Sequence, residues 1–317
     1  MTKTLQLGIA GLGTVGAEVA RQIIANHNHF TKQAGMPVMV TAVSARNADT
    51  DRGFSMQGIQ FCDNPLELAS MDNVDVVVEL IGGSEGVALD LVQAAIANGK
   101  HVITANKALL AHHGYKLAVQ AEKAGVMLAA EASVAGGIPV LKTLRESLSG
   151  NQITRITGIL NGTCNYILST MQHQARDFDD VLAEAQALGY AEADPGFDID
   201  GVDAGHKLAL LGAIGFGTAP SIDAVDMTGV RAITMTDMEN ASNLGCTIRL
   251  LAEAEQNDDG EVLMRVRPVI LPLDNQLAKI DGPLNAVTFT GTPIGAVTAI
   301  GPGAGAGATA SAVLADI

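Results

Sequence analysis

Tryptophan is absent from this 317-residue chain, and aromatic residues make up only 3% of it. Platforms that stack nucleic-acid bases need several exposed aromatic rings, so that mode of binding is disfavoured. Basic residues are also scarce: 19 Lys and Arg stand against 34 Asp and Glu, a formal net charge of −15. Holding a polyanion or an anionic membrane surface takes clustered positive charge, and the balance runs the other way. Small anionic molecules stay open, because a few local cations suffice for them. The three cysteines, Cys62, Cys164 and Cys246, are widely spaced and odd in number, which gives neither a disulfide framework nor a zinc knuckle. No long apolar run occurs, although 48% of residues are hydrophobic, because glycine and charge interrupt every stretch. The start, LQLGIAGLGTVGAEVA, reads as strand, turn and helix rather than as a signal-peptide core, since its glycines have turn spacing and Glu18 breaks it. With no targeting segment, a cytoplasmic location is expected. The length suits about two domains.

What is present begins with that same stretch. LQLGIAG is an apolar run fit for a buried parallel strand. Gly11-Leu12-Gly13-Thr14-Val15-Gly16 follows, a G-x-G-x-x-G that leads into the helical pattern AEVARQIIAN. In a dinucleotide site Gly11 permits the tight turn, Gly13 lets the pyrophosphate approach the backbone, and Gly16 lets helix pack on strand. Free N–H groups at the helix start then face the phosphates. Further strands are expected at 38–45, 74–83, 100–107 and 126–133, with helices near 85–98 and 108–124. That alternation predicts an α/β fold with a doubly wound parallel (Rossmann) sheet. The second strand ends at Ser44-Ala45-Arg46-Asn47, where an acid would favour NAD and an arginine can accept a 2′-phosphate. Arg46 tilts the expectation to NADP, with NAD the alternative. Ligands collect outside the carboxyl ends of such strands, which singles out Gly82 and Gly83 after one strand and Thr104 and Lys107 after the next. A lysine at a helix N-terminus is electrostatically unfavourable, so Lys107 needs another reason to be there.

The second half reads as an α+β domain, with a strand at 153–160, helices from 161 and 179, and strands toward the C-terminus. A hairpin is expected to turn at Asp258-Asp259-Gly260. Between them lies GYAEADPGFDIDGVDAGHK, residues 189–207, with Glu192, Asp194, Asp198, Asp200 and Asp203 ahead of Lys207. A calcium loop aligned on Gly201 fails, because Gly196 and Lys207 would fall where acids are required. A solvated turn explains Asp194, and Asp200 is expected to cap the helix that follows. Both explain Asp203 and Lys207 poorly, since these stand at i and i+4 in an apolar helix and so share one face; the plain alternative is an ordinary helix salt bridge, worth about 0.3–0.5 kcal/mol when exposed. A desolvated lysine can shuttle protons; Asp203 would oppose that shift and a second cation such as Lys107 would assist it. The residues alone suggest hydride chemistry on a small polar alcohol or aldehyde.

Taken together, GLGTVG, VVELIGG, ITANKALLA, EASVAGGIPV, GILNGTCNYIL, GYAEADPGFDIDGVDAGHK and GPGAGAGATASAV resemble homoserine dehydrogenase, in the family's order and over almost the whole chain. The resemblance implies reversible NAD(P)-linked conversion between L-homoserine and L-aspartate 4-semialdehyde, on the route to threonine, methionine and isoleucine. By position, Lys207 is similar to the family's proton donor and acceptor, and Lys107 to the lysine that assists beside the nicotinamide. Glu192 matches the residue that meets the substrate ammonium; Asp203 and Asp198 match pocket carboxylates, Asp203 orienting Lys207. A monovalent cation, sodium or potassium, is implied at Glu131 and the carbonyls of Val134, Gly136 and Ile138. Gly303 is expected to approach the cofactor. The resemblance implies a nucleotide-binding domain over 1–135 completed by 301–317, and a catalytic and dimerisation domain over 136–300, with at least a homodimer. Longer family members carry a C-terminal regulatory ACT domain, and the chain stops where it would begin. It is therefore expected to be a short-form or a truncated enzyme, and threonine control is in doubt.

Three rivals share parts of this pattern, one of which keeps the chemistry and changes the substrate. A cysteine-based aldehyde dehydrogenase would use Cys164 as nucleophile near a helix start. A non-enzymatic NADP-binding regulator would keep the glycine turn and need no lysine pair. The triplet Asn161-Gly162-Thr163 has the form of a glycosylation sequon and carries no weight in a cytoplasmic protein.

Overall fold

Apolar runs separated by glycine turns fold as the period-two pattern dictates. The computed structural model describes residues 3–257 and 259–317, in two units. The first comprises Met1–Ser133 and Gly305–Ile317, the second Val134–Ala304.

In the first unit the elements run β1 (Leu5–Ala10), α1 (Thr14–Ala25), α2 (His27–Ala34), β2 (Val38–Ser44), β3 (Gln60–Cys62), β4 (Val76–Glu79), α3 (Val87–Ala97), β5 (His101–Thr104), α4 (Lys107–Ala124) and β6 (Leu128–Ala129), and the chain returns to it with its last helix, α11 (Ala306–Asp316). The strands form one parallel sheet in the order β3-β2-β1-β4-β5-β6. This is the doubly wound dinucleotide-binding order. Side chains of successive strand residues leave opposite faces. Val76 and Val78 accordingly join a core with Leu7, Ile9, Val19 and Val313, while Val77 joins another with Leu91, Leu109 and Leu117. Each fully buried aliphatic contributes about 1.5–3 kcal/mol over exposure. The register aligns the strand ends: Ala10 lies beside both Ser44 and Glu79, and Glu79 beside Thr104. The loops that follow therefore emerge side by side at one edge. The short strand β3 and the helix α2 escaped the sequence reading, being too brief or too polar to show a period.

The second unit holds a short helix α5 (Val140–Lys142), then β7 (Gln152–Ile159), α6 (Gly162–Gln174), α7 (Phe178–Ala187), a single turn α8 (Gly196–Ile199), α9 (Val202–Phe216), β8 (Val225–Met227), α10 (Met235–Asn243), β9 (Cys246–Gln256), β10 (Val262–Pro272), β11 (Leu284–Thr292) and β12 (Gly295–Pro302). The sheet order is β12-β11-β7-β9-β10-β8, antiparallel except that β8 runs parallel to β10. The expected turn of the β9–β10 hairpin includes Asp258, which lies outside the described residues. Helix α9 is buried continuously from Asp203 to Gly212 against this sheet. A helix apolar nearly all round has no solvent face, so Asp203 and Lys207 are carried inside with it. The start of α6 is tied down from beneath: the Asn165 carboxamide donates to the carbonyls of Ile280 (3.0 Å) and Gly282 (2.9 Å). Fully buried Arg249 donates to the Ala278 carbonyl (3.0 Å) and to Asp281 (2.7 Å) in the same loop. Asp200 does not cap α9 as expected. Gly201 occupies that position, and Asp200 ends α8 and pairs with Arg231.

Candidate active site

Each unit carries a cluster of polar groups at the positions that the sequence singles out. In the first, the turn after β1 is built by steric necessity. Gly11 has φ +97°, and a β-carbon there would lie 2.5 Å from the Leu80 carbonyl oxygen. One at Gly16 would lie 1.9 Å from the Gly11 oxygen, so only glycine lets α1 pack this closely. Gly13 differs: a β-carbon there meets nothing within 4 Å. Gly11 and Gly16 thus serve the turn, and Gly13 opens the backbone to space. No side chain caps α1, and its first turn carries no acid, so no capping side chain takes up the N–H groups at its start. This surface fits a pyrophosphate.

Beside it, Arg46 is exposed just past β2. Sequence reasoning missed Arg52, which lies across the same corner. Its guanidinium donates to the carbonyls of Leu12 (3.3 Å) and Thr50 (2.8 Å). Two cations therefore border the end of β2.

The next two loops are locked together by a residue that sequence reasoning also missed. Glu79 is fully buried. A buried carboxylate is costly unless hydrogen-bonded. Glu79 accepts from the N–H groups of Ile81 (2.8 Å) and Gly82 (3.2 Å) and from the Thr104 hydroxyl (2.6 Å). Thr104 in turn accepts from the Asn106 N–H (3.0 Å). Asn106 donates to the Gly83 carbonyl (2.7 Å) and caps α4 by accepting from the Leu109 N–H (3.0 Å). Gly82 and Gly83 are exposed on the loop so held, and Lys107, half-buried, starts the capped helix. The Thr104 hydroxyl is committed to Glu79 and Asn106, so its contribution is to hold the loop.

The second cluster gathers around α9. The Lys207 ammonium donates to Asp203 (2.7 Å) and to the Leu160 carbonyl (2.7 Å). The Asn161 carboxamide donates to Asp203 (2.9 Å) and to Asp198 (2.7 Å). Thr163 donates to the Tyr190 carbonyl (2.6 Å), which ties the acidic loop to α6. Glu192 is exposed on that loop, its carbonyl accepting from Gln186 (3.0 Å). Cys164 is fully buried and its thiol donates to the Asp198 carbonyl (3.3 Å). Burial pushes this thiol well above its ordinary value, and Asp198 and Asp203 push it further, against a smaller opposing effect of Lys207. The thiolate is the nucleophilic form, so Cys164 is inert. Two expected cation-loop residues, Val134 and Ile138, are buried, and between them Ala135 and Gly136 both adopt left-handed backbone (φ 55° and 50°). A β-carbon on Gly136 would lie 2.5 Å from the Gly303 oxygen, and one on Gly303 would lie 2.1 Å from the Asn285 carboxamide. The two strand-linked turns pack backbone to backbone. Glu131 is buried in the first unit, its N–H donating to Asp316 (2.8 Å).

Residues 139–317 match the family model described as homoserine dehydrogenase, and residues 11–131 match the one described as its NAD binding domain. A homoserine dehydrogenase of Pseudomonas aeruginosa is 45% identical over 99% of this chain and 72% of its own length. One of Neisseria gonorrhoeae is 44% identical over the same shares. The crystal structure of a homoserine dehydrogenase from Thiobacillus denitrificans superposes with a TM-score of 0.94 at 44% identity, covering 99% of this chain and 72% of that one. A hyperthermophilic archaeal homoserine dehydrogenase in complex with NADPH superposes with a TM-score of 0.83 at 28% identity, covering 99% and 96%.

Proposed function

The chain belongs to the homoserine dehydrogenase family, and from that premise we propose that Lys207 moves the proton at the substrate oxygen while Asp203 holds it in line. It is an NAD(P)-dependent oxidoreductase acting on a CH–OH group. Oxidation of L-homoserine removes a proton from the hydroxyl and a hydride from its carbon, leaving L-aspartate 4-semialdehyde; reduction returns both. NAD(P), when bound, takes up or supplies the hydride. The proton, the orientation of the substrate and the charge balance fall to the side chains.

The observation that carries this reading is the buried lysine. Two of its three N–H donors are used, by Asp203 and by Leu160, which leaves one for a substrate oxygen. In the oxidative direction the free amine accepts the hydroxyl proton; in the reductive direction the ammonium donates it. Glu192 is proposed to meet the substrate's own ammonium, a task for a carboxylate, with Asp198 a further substrate-binding carboxylate of the same pocket. Lys107 is the assisting lysine on the cofactor side. The turn Gly11, Gly13, Thr14, Val15 and Gly16, with Gly82, Gly83 and Gly303, is proposed to bind the cofactor, Thr104 contributing through its loop. NADP is proposed over NAD, and Arg46, exposed just past β2, supports this, since a guanidinium suits a 2′-phosphate; Arg52, bonded to the carbonyls of Leu12 and Thr50, holds the corner.

A monovalent cation, sodium or potassium, is proposed at Glu131 and the carbonyls of Val134, Gly136 and Ile138. Consecutive left-handed residues at 135 and 136 turn the intervening carbonyls and support it. A homodimer is proposed through the second sheet, on the face opposite α9 where Arg155, Glu253, Val269 and Thr288 line a shallow cavity. A cytoplasmic location is also proposed. The test is a spectrophotometric nicotinamide assay with L-homoserine, run with NADP and NAD in turn. Reduction with NADP at the higher kcat/KM is expected; no signal with either would overturn the reading.

A further inference from the structure

Asn161 bonds to both acids of the charged cluster. Its side chain is 4% exposed. The carboxamide has two N–H donors and one oxygen. One hydrogen goes to Asp198 (2.7 Å) and the other to Asp203 (2.9 Å), while the oxygen accepts from the Cys164 N–H (2.8 Å). Asp203 takes the lysine and the amide on the same oxygen. The preceding residue, Leu160, gives its carbonyl to Lys207. Residues 160 and 161 thus contact all three charged groups.

The physical problem here is like-charge repulsion. Asp198 and Asp203 are drawn toward one point, and two carboxylates sharing a site resist joint ionisation. A lysine or arginine between them would relieve this, but would compete with Lys207 and with a substrate ammonium. A neutral double donor relieves it without adding charge. The geometry points to Asn161 as a positioning residue that bridges Asp198 and Asp203 and thereby aims the Lys207 ammonium. This inference rests on Lys207 being the group that moves the substrate proton.

The lesser role is helix capping, since Asn161 is the N-cap of α6. A cap accounts for the oxygen and leaves both N–H bonds without a purpose. Asp and Ser cap as well as Asn, so they separate the two roles. Asn161→Asp keeps the cap, removes both donors and adds a third carboxylate. The titratable groups facing it are Asp198 from α8, Asp203 and Lys207 from α9, and the Cys164 thiol from α6. Asn161→Ser keeps the cap and adds no charge.

Both variants keep the cap, and Asn161→Ser, which adds no charge, is expected to melt closer to the parent than Asn161→Asp. NADP dissociation constants stay within about two-fold, the glycine turn that is proposed to hold the phosphates being in the other unit. With L-homoserine, kcat is expected to fall about 30-fold or more in Asn161→Asp and about ten-fold in Asn161→Ser. In the Asp variant alone the acidic limb of kcat moves to higher pH, because the added negative charge holds the proton on Lys207. Both variants within about three-fold of the parent, with the limb unmoved, would overturn the inference. Should Asn161→Asp not fold, the kcat of Asn161→Ser decides. A parent enzyme with no homoserine-dependent reduction would instead sink the functional reading on which this rests.

Discussion

The Lys207 ammonium and the Asp203 carboxylate meet at 2.7 Å one helical turn apart, with only 11% and 7% of their side chains exposed. An exposed i, i+4 pair would contribute little. Buried, it is different: removing one partner leaves a charge without compensation, at a cost of about 3–5 kcal/mol. Lys207→Ala should therefore lower stability by about that amount and turnover by about 10²–10⁴-fold. Lys207→Arg separates the two effects. Arginine keeps Asp203 paired but does not give up its proton in proteins. We expect Lys207→Arg to melt near the parent, bind NADP normally and lose turnover as severely as Lys207→Ala. Substantial homoserine oxidation by either variant would remove Lys207 from proton transfer.

The glycine turn makes a second, differential prediction. Gly13 has φ −73°, which alanine adopts without strain, and a β-carbon there enters open space. Gly16→Ala would press on the Gly11 carbonyl and force the turn apart. Gly13→Ala should keep the parent's melting temperature and weaken NADP by about ten-fold or more, the methyl taking the place of the phosphate. Gly16→Ala should lose about 1–3 kcal/mol of stability as well as cofactor affinity. Thermal melts with and without NADP measure both. Unimpaired NADP binding by Gly13→Ala would show that the phosphates lie elsewhere.

How legible this was in the sequence depended on range. The parallel sheet could be read because strand runs such as VVVEL and the G-x-G-x-x-G carry their physics locally. Asp203 and Lys207 could be paired because a helix makes i and i+4 neighbours. Asn161 could not. It sits in a sequon-shaped triplet, its cap is local, and its two functional partners lie 37 and 42 residues away. Glu79 looked like the end of an apolar strand; its partner Thr104 is 25 residues on, and only the register of β4 and β5 joins them. Arg52 is 40 residues from the Leu12 carbonyl that it reaches. Asp200 does not cap α9 although cap propensity favours Asp, because the chain reverses at Gly201 with φ +84°.

Cys164 offers a clean exclusion. Its thiol is fully buried and held protonated by desolvation first, then by Asp198 and Asp203. Cys164→Ser preserves a donor for the Asp198 carbonyl and should retain kcat within about three-fold. The native enzyme should also resist iodoacetamide at this position, read by mass spectrometry. Loss of turnover in Cys164→Ser by orders of magnitude would revive a thioester route.

The last prediction concerns acid. Arg231 grips Asp200 through two N–H bonds, one of them 3.0 Å, fastening α8 to the segment before α10. The hydrogen bond from Arg231 is the main cause holding the Asp200 carboxyl below its ordinary value, with the guanidinium charge adding to it and burial opposing. A carboxyl depressed in the folded state binds its proton more readily when unfolded. Its stabilisation is therefore complete above the ordinary aspartate value of about 3.9 and drains away as pH falls through the depressed one. Both side chains are about half exposed, 45% for Asp200 and 55% for Arg231, so solvent screens the pair and the effect is small. Arg231→Gln should thus melt slightly below the parent, by a constant margin from about pH 8 down to about pH 5. The margin should close as the pH drops below about 4. Salt at high concentration should shrink it at neutral pH as well. A margin that persists unchanged under acid would mean that Arg231 stabilises by packing rather than by its bond to Asp200.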